Sequence, residues 1–191
     1  VTEKDLIKGL QTANDGAYRQ LVATFQKQVF TTCLSFVHIP ADADDLSQEV
    51  FIEIFRSAKN FRGDSRLSTW IYRIAVNKSL NHLRKQKRSR WLQSWEDFFS
   101  GNSGSDNNQQ SDQLSSDLVE GSDRTNQLHQ AIDRLPENQR TAFLLSKYDE
   151  LPTRQIAEIM QTSQSAVDSL IFRAKTNLQK YLYQRYKNNE L

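Results

Sequence analysis

The stretch Asn60-Phe61-Arg62-Gly63-Asp64-Ser65 leads directly into Arg66-Leu67-Ser68-Thr69-Trp70-Ile71-Tyr72-Arg73, so aromatic rings, guanidinium groups and a glycine share one short segment. Aromatic faces stack on unpaired bases, guanidinium planes stack and also follow phosphates, and a glycine turn at a helix start presents free backbone N–H groups. Phe61, Arg62, Trp70, Tyr72 and Arg73 therefore suit a separated nucleic-acid strand better than an intact duplex. Trp70 also keeps helical spacing with Leu67, Ile71 and Ile74, the mark of a core residue, and the sequence leaves both uses of its ring open.

A second constellation lies near the end of the chain. Thr153 can cap a short helix carrying Ile156, Ile159 and Met160. After Gln161 and Thr162, Ser163 can cap a longer one in which Val167, Ile171, Ala174, Leu178 and Leu182 keep helical spacing. A short helix, a three-residue turn and a longer helix form the helix-turn-helix pattern, whose second helix enters the major groove. The face offered to base edges would be Gln164, Ser165, Asp168, Ser169, Phe172, Arg173 and Lys175, with Thr153 and Arg154 placed for phosphate. Two-helix hairpins also occur in ordinary cores, so spacing alone does not settle the matter.

No catalytic set competes with these. His38, His82 and His129 are scattered without metal-ligand spacing, and Cys33 sits on an apolar helix face. Asp42, Asp44, Asp45 and Glu49 occupy a helix start, where acids are favoured without any cation. The expectation is a protein that is not an enzyme and needs no cofactor and no metal.

The elements that must carry these groups are all helical. Leu21, Phe25, Val29, Cys33 and Val37 mark a helix over 17–37 that ends near Pro40, and Asp42 or Asp44 can cap the next, with Leu46, Val50, Phe51, Ile54 and Phe55 as its apolar stripe. Gly63 gives the turn its freedom, Asp64 or Ser65 can cap, and a long helix runs on towards Arg90. Leu128, Ile132 and Leu135 mark a helix stopped by Pro136, and 137–148 marks another. Between them, 94–123 is rich in Ser, Asn, Gln, Gly and Asp, has no basic residue, and holds too little apolar content to fold alone. The expected architecture is all-α, with two small helical domains at 1–92 and 124–191 joined by an acidic flexible linker at 93–123.

A net charge of +2 conceals a block structure. Residues 1–55 carry 4 basic and 8 acidic groups, 56–90 carry 11 and 1, 91–123 carry 0 and 7, and 124–191 carry 10 and 7. The strongly basic block calls for a polyanion or tolerates one. The longest apolar run is Ala142–Leu145, far below the ~20 residues of a membrane helix. Direct membrane insertion is not expected, and the chain reads as cytoplasmic, with its single cysteine excluding an internal disulfide framework.

Two long stretches resemble a known family. DADDLSQEVFIEIFRSAKNFRGDSRLSTWIYRIAVNKSLNHLRKQKR resembles conserved region 2, and LHQAIDRLPENQRTAFLLSKYDELPTRQIAEIMQTSQSAVDSLIFRAKTNLQKYL region 4, of bacterial RNA polymerase sigma factors of the extracytoplasmic-function (ECF) group. They occur in the expected order around an acidic linker, with no region 3. The resemblance implies that Asp45, Leu46, Gln48, Glu49 and Phe51 dock on the beta-prime clamp coiled coil of core RNA polymerase. It implies that Asn60, Phe61, Arg62, Gly63, Asp64 and Ser65 form the turn that captures a base flipped from the minus-ten element. Arg66, Thr69, Trp70, Arg73 and Asn77 match the helix that supports strand opening, and the second domain, which also meets the beta flap, would bind the minus-thirty-five element. Promoter DNA and an anti-sigma factor are the further partners implied. The sequence departs from the family pattern at Asp168 and Leu170, where basic residues are common, and at Gln161, where many members have glycine. An Asp on the reading helix weakens phosphate attraction and can accept from cytosine.

The rival is a freestanding helix-turn-helix transcriptional regulator whose first half dimerises or binds a ligand. That reading leaves the turn at 60–65 and the Asp45–Phe51 face without a purpose.

Overall fold

The computed structural model describes residues 2–99 and 119–189, with side chains over 2–93 and 124–187. The greater part of the expected linker, 100–118, lies outside the described residues. Within them there are eight α-helices and no strand.

The chain starts with a helix that apolar spacing alone did not reveal, α1 (Glu3–Gln11). A reciprocal capping box founds it: the Thr2 hydroxyl accepts from the Asp5 amide while the Asp5 carboxylate accepts from the Thr2 amide. Leu6 and Leu10 are buried. A Cβ at Gly9 would lie 2.5 Å from that of Ala17, so α1 can cross α2 only because residue 9 has no side chain. Helix α2 (Asp15–Val37) is capped by Asn14, whose Oδ1 accepts from the Ala17 amide at 3.0 Å, and is closed by His38 in the left-handed region, φ 62°.

Helix α3 (Pro40–Ser57) differs from expectation at its start. Neither Asp42 nor Asp44 caps it: the cap position is Ile39, with no side-chain bond, and Pro40 opens the helix with a preset φ and no N–H to satisfy. Asp42 instead lies in the first turn, favourably placed against the helix dipole. A 3₁₀ turn (Ala58–Asn60) leads to the 61–66 segment and then to α4 (Leu67–Phe99), which extends beyond Arg90. Helices α2, α3 and α4 close around Leu21, Val29, Phe36, Val50, Ile54, Leu67 and Ile71, all essentially without solvent exposure. Burial of each such side chain contributes roughly 1.5–3 kcal/mol. Phe55, expected on the apolar stripe, is 50% exposed, held edge-on against Tyr18 with ring centroids 5.3 Å apart.

The second unit comprises α5 (Val119–Asp133), α6 (Glu137–Lys147), α7 (Thr153–Met160) and α8 (Gln164–Asn189), around Ile132, Leu144, Leu145, Ile156, Val167 and Ala174. The two units pack on each other. Thr32 on α2 donates to Asp149 Oδ1 at 2.8 Å, Arg84 on α4 makes a two-point contact with the Glu137 carboxylate at 2.6 and 3.0 Å, and the rings of His38 and His129 stack at 3.9 Å with 8° between planes.

Candidate nucleic-acid interface

The 61–66 turn projects from the first unit between the 3₁₀ turn and α4. Gly63 has φ +78°, a conformation costly for any residue with a Cβ. The expected cap from Asp64 or Ser65 is absent: α4 begins after Arg66, and its first free amide, that of Leu67, is taken by Glu3 Oε1 of α1 at 2.7 Å. At the other end, Gln11 Nε2 of α1 donates to the Phe61 carbonyl at 2.8 Å.

Exposure sorts the residues expected to meet the melted strand. Asn60, Arg62, Gly63, Asp64, Arg66 and Asn77 are exposed, and Ser65, Trp70 and Arg73 are partly so. Phe61 and Thr69 are buried, at 8% and 3%. The two open uses of Trp70 combine: its ring packs on Phe61, centroids 4.7 Å apart, and still keeps some solvent exposure. Tyr72 is buried, and burial pushes its hydroxyl above the usual phenol range. That ring belongs to the core.

In the second unit, α7, the turn 161–163 and α8 form the expected helix-turn-helix. Ser163 caps α8, its hydroxyl accepting from the Ala166 amide at 3.2 Å. Pro152, not Thr153, stands at the cap of α7, leaving the Thr153 hydroxyl to bond Asp168 Oδ1 at 3.2 Å. Gln161 adopts the left-handed conformation, φ 54°, that glycine takes more easily. Arg154, Gln164, Ser165, Asp168, Ser169, Phe172, Arg173 and Lys175 all reach solvent, with Phe172 at 72%. Arg154 also lies 3.6 Å from Glu158 one turn on.

On α3, Asp45, Gln48 and Glu49 are exposed, while Leu46 and Phe51 are buried at 2% and 9% and serve packing. Ile52, 49% exposed, extends the same outer face one heptad beyond Asp45, and Phe55 does so beyond Gln48. The signal for both was available: acids and apolar residues interleave at helical spacing. A functional face and a core face look alike when only hydrophobicity is counted.

Among the described residues no group of three or more His, Cys, Asp or Glu could hold a metal ion, and no helix is long and apolar enough to cross a membrane.

A helical unit with a basic, aromatic-bearing turn and a second with an exposed helix-turn-helix define a two-site DNA-binding protein. Comparison narrows the class. Residues 21–89 match sigma-70 region 2, and residues 125–178 match sigma-70 region 4. The chain is 34% identical over 185 residues to RNA polymerase sigma-H factor of Pseudomonas aeruginosa, covering 94% of this chain and 93% of that protein. It is 34% identical over 181 residues to ECF RNA polymerase sigma-E factor of Escherichia coli K12, covering 92% and 91%. The solved structure of CnrH in complex with the cytosolic domain of CnrY shares the fold, with a TM-score of 0.66 at 19% identity over 95% of this chain and 97% of that one. The chain belongs to the ECF group of sigma factors.

Proposed function

We propose that this sigma factor binds core RNA polymerase through the outer face of α3, reads the minus-thirty-five element as duplex through α8, and captures the opened minus-ten element with the 61–66 turn and α4. The observation that carries the assignment is the pairing, in one chain, of an exposed duplex-reading helix with a basic turn poised beside a partly buried tryptophan. A freestanding regulator needs only the first. The units at 1–92 and 124–191 divide this work, with 93–123 as the connection between them.

The roles follow from chemistry. Arg62 and Arg66 supply charge at the turn for the backbone of the unpaired strand. Extruding a base costs a few kcal/mol of stacking, which a fitted site recovers. Phe61 and Thr69, being buried, act by shaping that site. In α8, Arg173 and Lys175 attract phosphate while Gln164, Ser165, Ser169 and Phe172 face base edges. The protein works by binding and positioning, with the polymerase supplying the chemistry. An anti-sigma protein is the regulator that membership of this group implies.

The test is transcription by bacterial core RNA polymerase, with and without the protein, on a library of random upstream sequences. Specific initiation that fails with Gln48→Ala and with Arg62→Ala, both at exposed positions, supports the assignment. Silence combined with tight duplex binding by the protein alone would favour the freestanding regulator.

A further inference from the structure

The region 2 match begins at residue 21, so α1 lies outside it. Yet α1 holds the base-reading turn at both ends. Glu3 occupies the Leu67 amide, one of the N–H groups that a helix cannot satisfy internally, and Gln11 holds the Phe61 carbonyl. The two side chains stand about 12 Å apart along the helix, eight residues at about 1.5 Å each. Between helix and turn runs an open groove of about 690 Å³, with Lys4 and Ile7 on one bank and Gly63 and Arg66 on the other.

A turn containing a left-handed glycine is costly to order at the moment a base arrives, and ordering it beforehand strengthens binding. We propose that α1 is a clamp that preorganises the base-reading turn, with Glu3 and Gln11 as positioning residues and Lys4 and Ile7 as the far bank of the groove that receives the unpaired base and its phosphate. The inference rests on the sigma-factor assignment above. Glu3 acts through the Leu67 amide and Gln11 through the Phe61 carbonyl. Ile7 offers an apolar edge to a base, and Lys4 and Arg66 bring a cation to each bank, where the Glu3 and Asp64 carboxylates also line the groove. The capping box at Thr2 and the burial of Leu6 and Leu10 fix α1 so that it can hold the turn.

The test uses the full chain with core polymerase on a promoter library randomised over the minus-ten element, comparing wild type, Glu3→Ala, Glu3→Gln, Gln11→Ala and the control Lys8→Ala. Glu3→Ala and Gln11→Ala should each reduce base discrimination at one minus-ten position by about fivefold or more, with minus-thirty-five preference and polymerase affinity unchanged. Glu3→Gln keeps an acceptor oxygen and should restore most of the discrimination, and Lys8→Ala should behave as wild type. Amide hydrogen exchange at Leu67 in the free protein should accelerate about tenfold in Glu3→Ala. Unchanged discrimination at every minus-ten position, or a loss equal over all sequences that tracks thermal unfolding, would overturn the clamp. If the wild type itself gives no promoter-specific initiation, the sigma-factor assignment fails and the clamp falls with it.

Discussion

The guanidinium of Arg73 donates to the main-chain carbonyl of Glu158 across 2.7 Å, tying the helix assigned to melted DNA to the helix that supports duplex reading. A cation at the last turn of α7 also meets the negative end of that helix. In this arrangement the Nη2 end of Arg73 is committed to that carbonyl and its Nε is buried.

Reading both elements of one promoter at once would require this arrangement to open. Elements centred at minus ten and minus thirty-five lie about 25 base pairs apart, about 85 Å at ~3.4 Å per pair, whereas the surfaces that would read them meet here at Arg73 and Glu158. Dyes at the exposed positions Lys59 and Gln179 should transfer energy efficiently in the free protein and lose that transfer when polymerase and promoter bind. Arg73→Ala should broaden the distance distribution of the free protein. Poor transfer in the free wild type would refute a closed resting state.

Asp149 makes the closure sensitive to pH. Burial between the units raises its carboxyl to about 6, against the lowering effect of the Thr32 hydroxyl, with Tyr72 and Cys33 also within its field. A raised carboxyl stabilises the packed state in its neutral form, fully below the ordinary value near 3.8, and the contribution disappears as pH rises through about 6. His129 opposes this trend, since burial and then the charge of His38 lower it, while Asp133 raises it. Asp149→Asn isolates the carboxyl. Denaturant unfolding at pH about 4 and about 7.5 should show the variant gaining on the order of 1–3 kcal/mol over wild type at the higher pH only. An equal difference at both values would remove the carboxyl as the cause.

Ile52 offers a clean probe of polymerase docking, because half of its surface already faces solvent. Ile52→Ala should leave the melting temperature within a degree or two and weaken binding to core polymerase about tenfold, as a central apolar contact does. Competition against a labelled sigma factor measures it. Undiminished affinity would move the docking face off α3.

Sequence reading recovered the helices best where they carry long apolar stripes, as in α2 and α8, and where turns carry local signals, as with Ser163. Helix α1 escaped because nine residues give little periodicity, although the Thr2–Asp5 capping box was there to see. Local spacing points to Asp64 or Ser65 at the start of α4 and cannot reveal an acceptor supplied by Glu3, 64 residues away. Ring chemistry points Phe61 at the melted strand and the family resemblance adds Thr69, but both side chains are buried. The closure through Thr32, Asp149, Arg73 and Glu158 depends on contacts between distant residues that no spacing encodes.

Asp168 and Arg173 should pull in opposite directions on duplex DNA. Asp168 is exposed and held by Thr153, so its charge stands at the reading face. Asp168→Ala should tighten binding to all duplexes, whereas Arg173→Ala should weaken it and reduce the salt slope by about one. Titration of the holoenzyme at several salt concentrations measures both. A steeper salt slope in Arg173→Ala would exclude a phosphate contact.

Cys33 has no exposure to solvent, and burial raises its thiol further from ionisation. Oxidants act on thiolates that they can reach. The chain's one sulfhydryl is thus sealed against peroxide and disulfide exchange while the fold holds. Oxidation at Cys33 therefore waits on an opening of the helices packed around it.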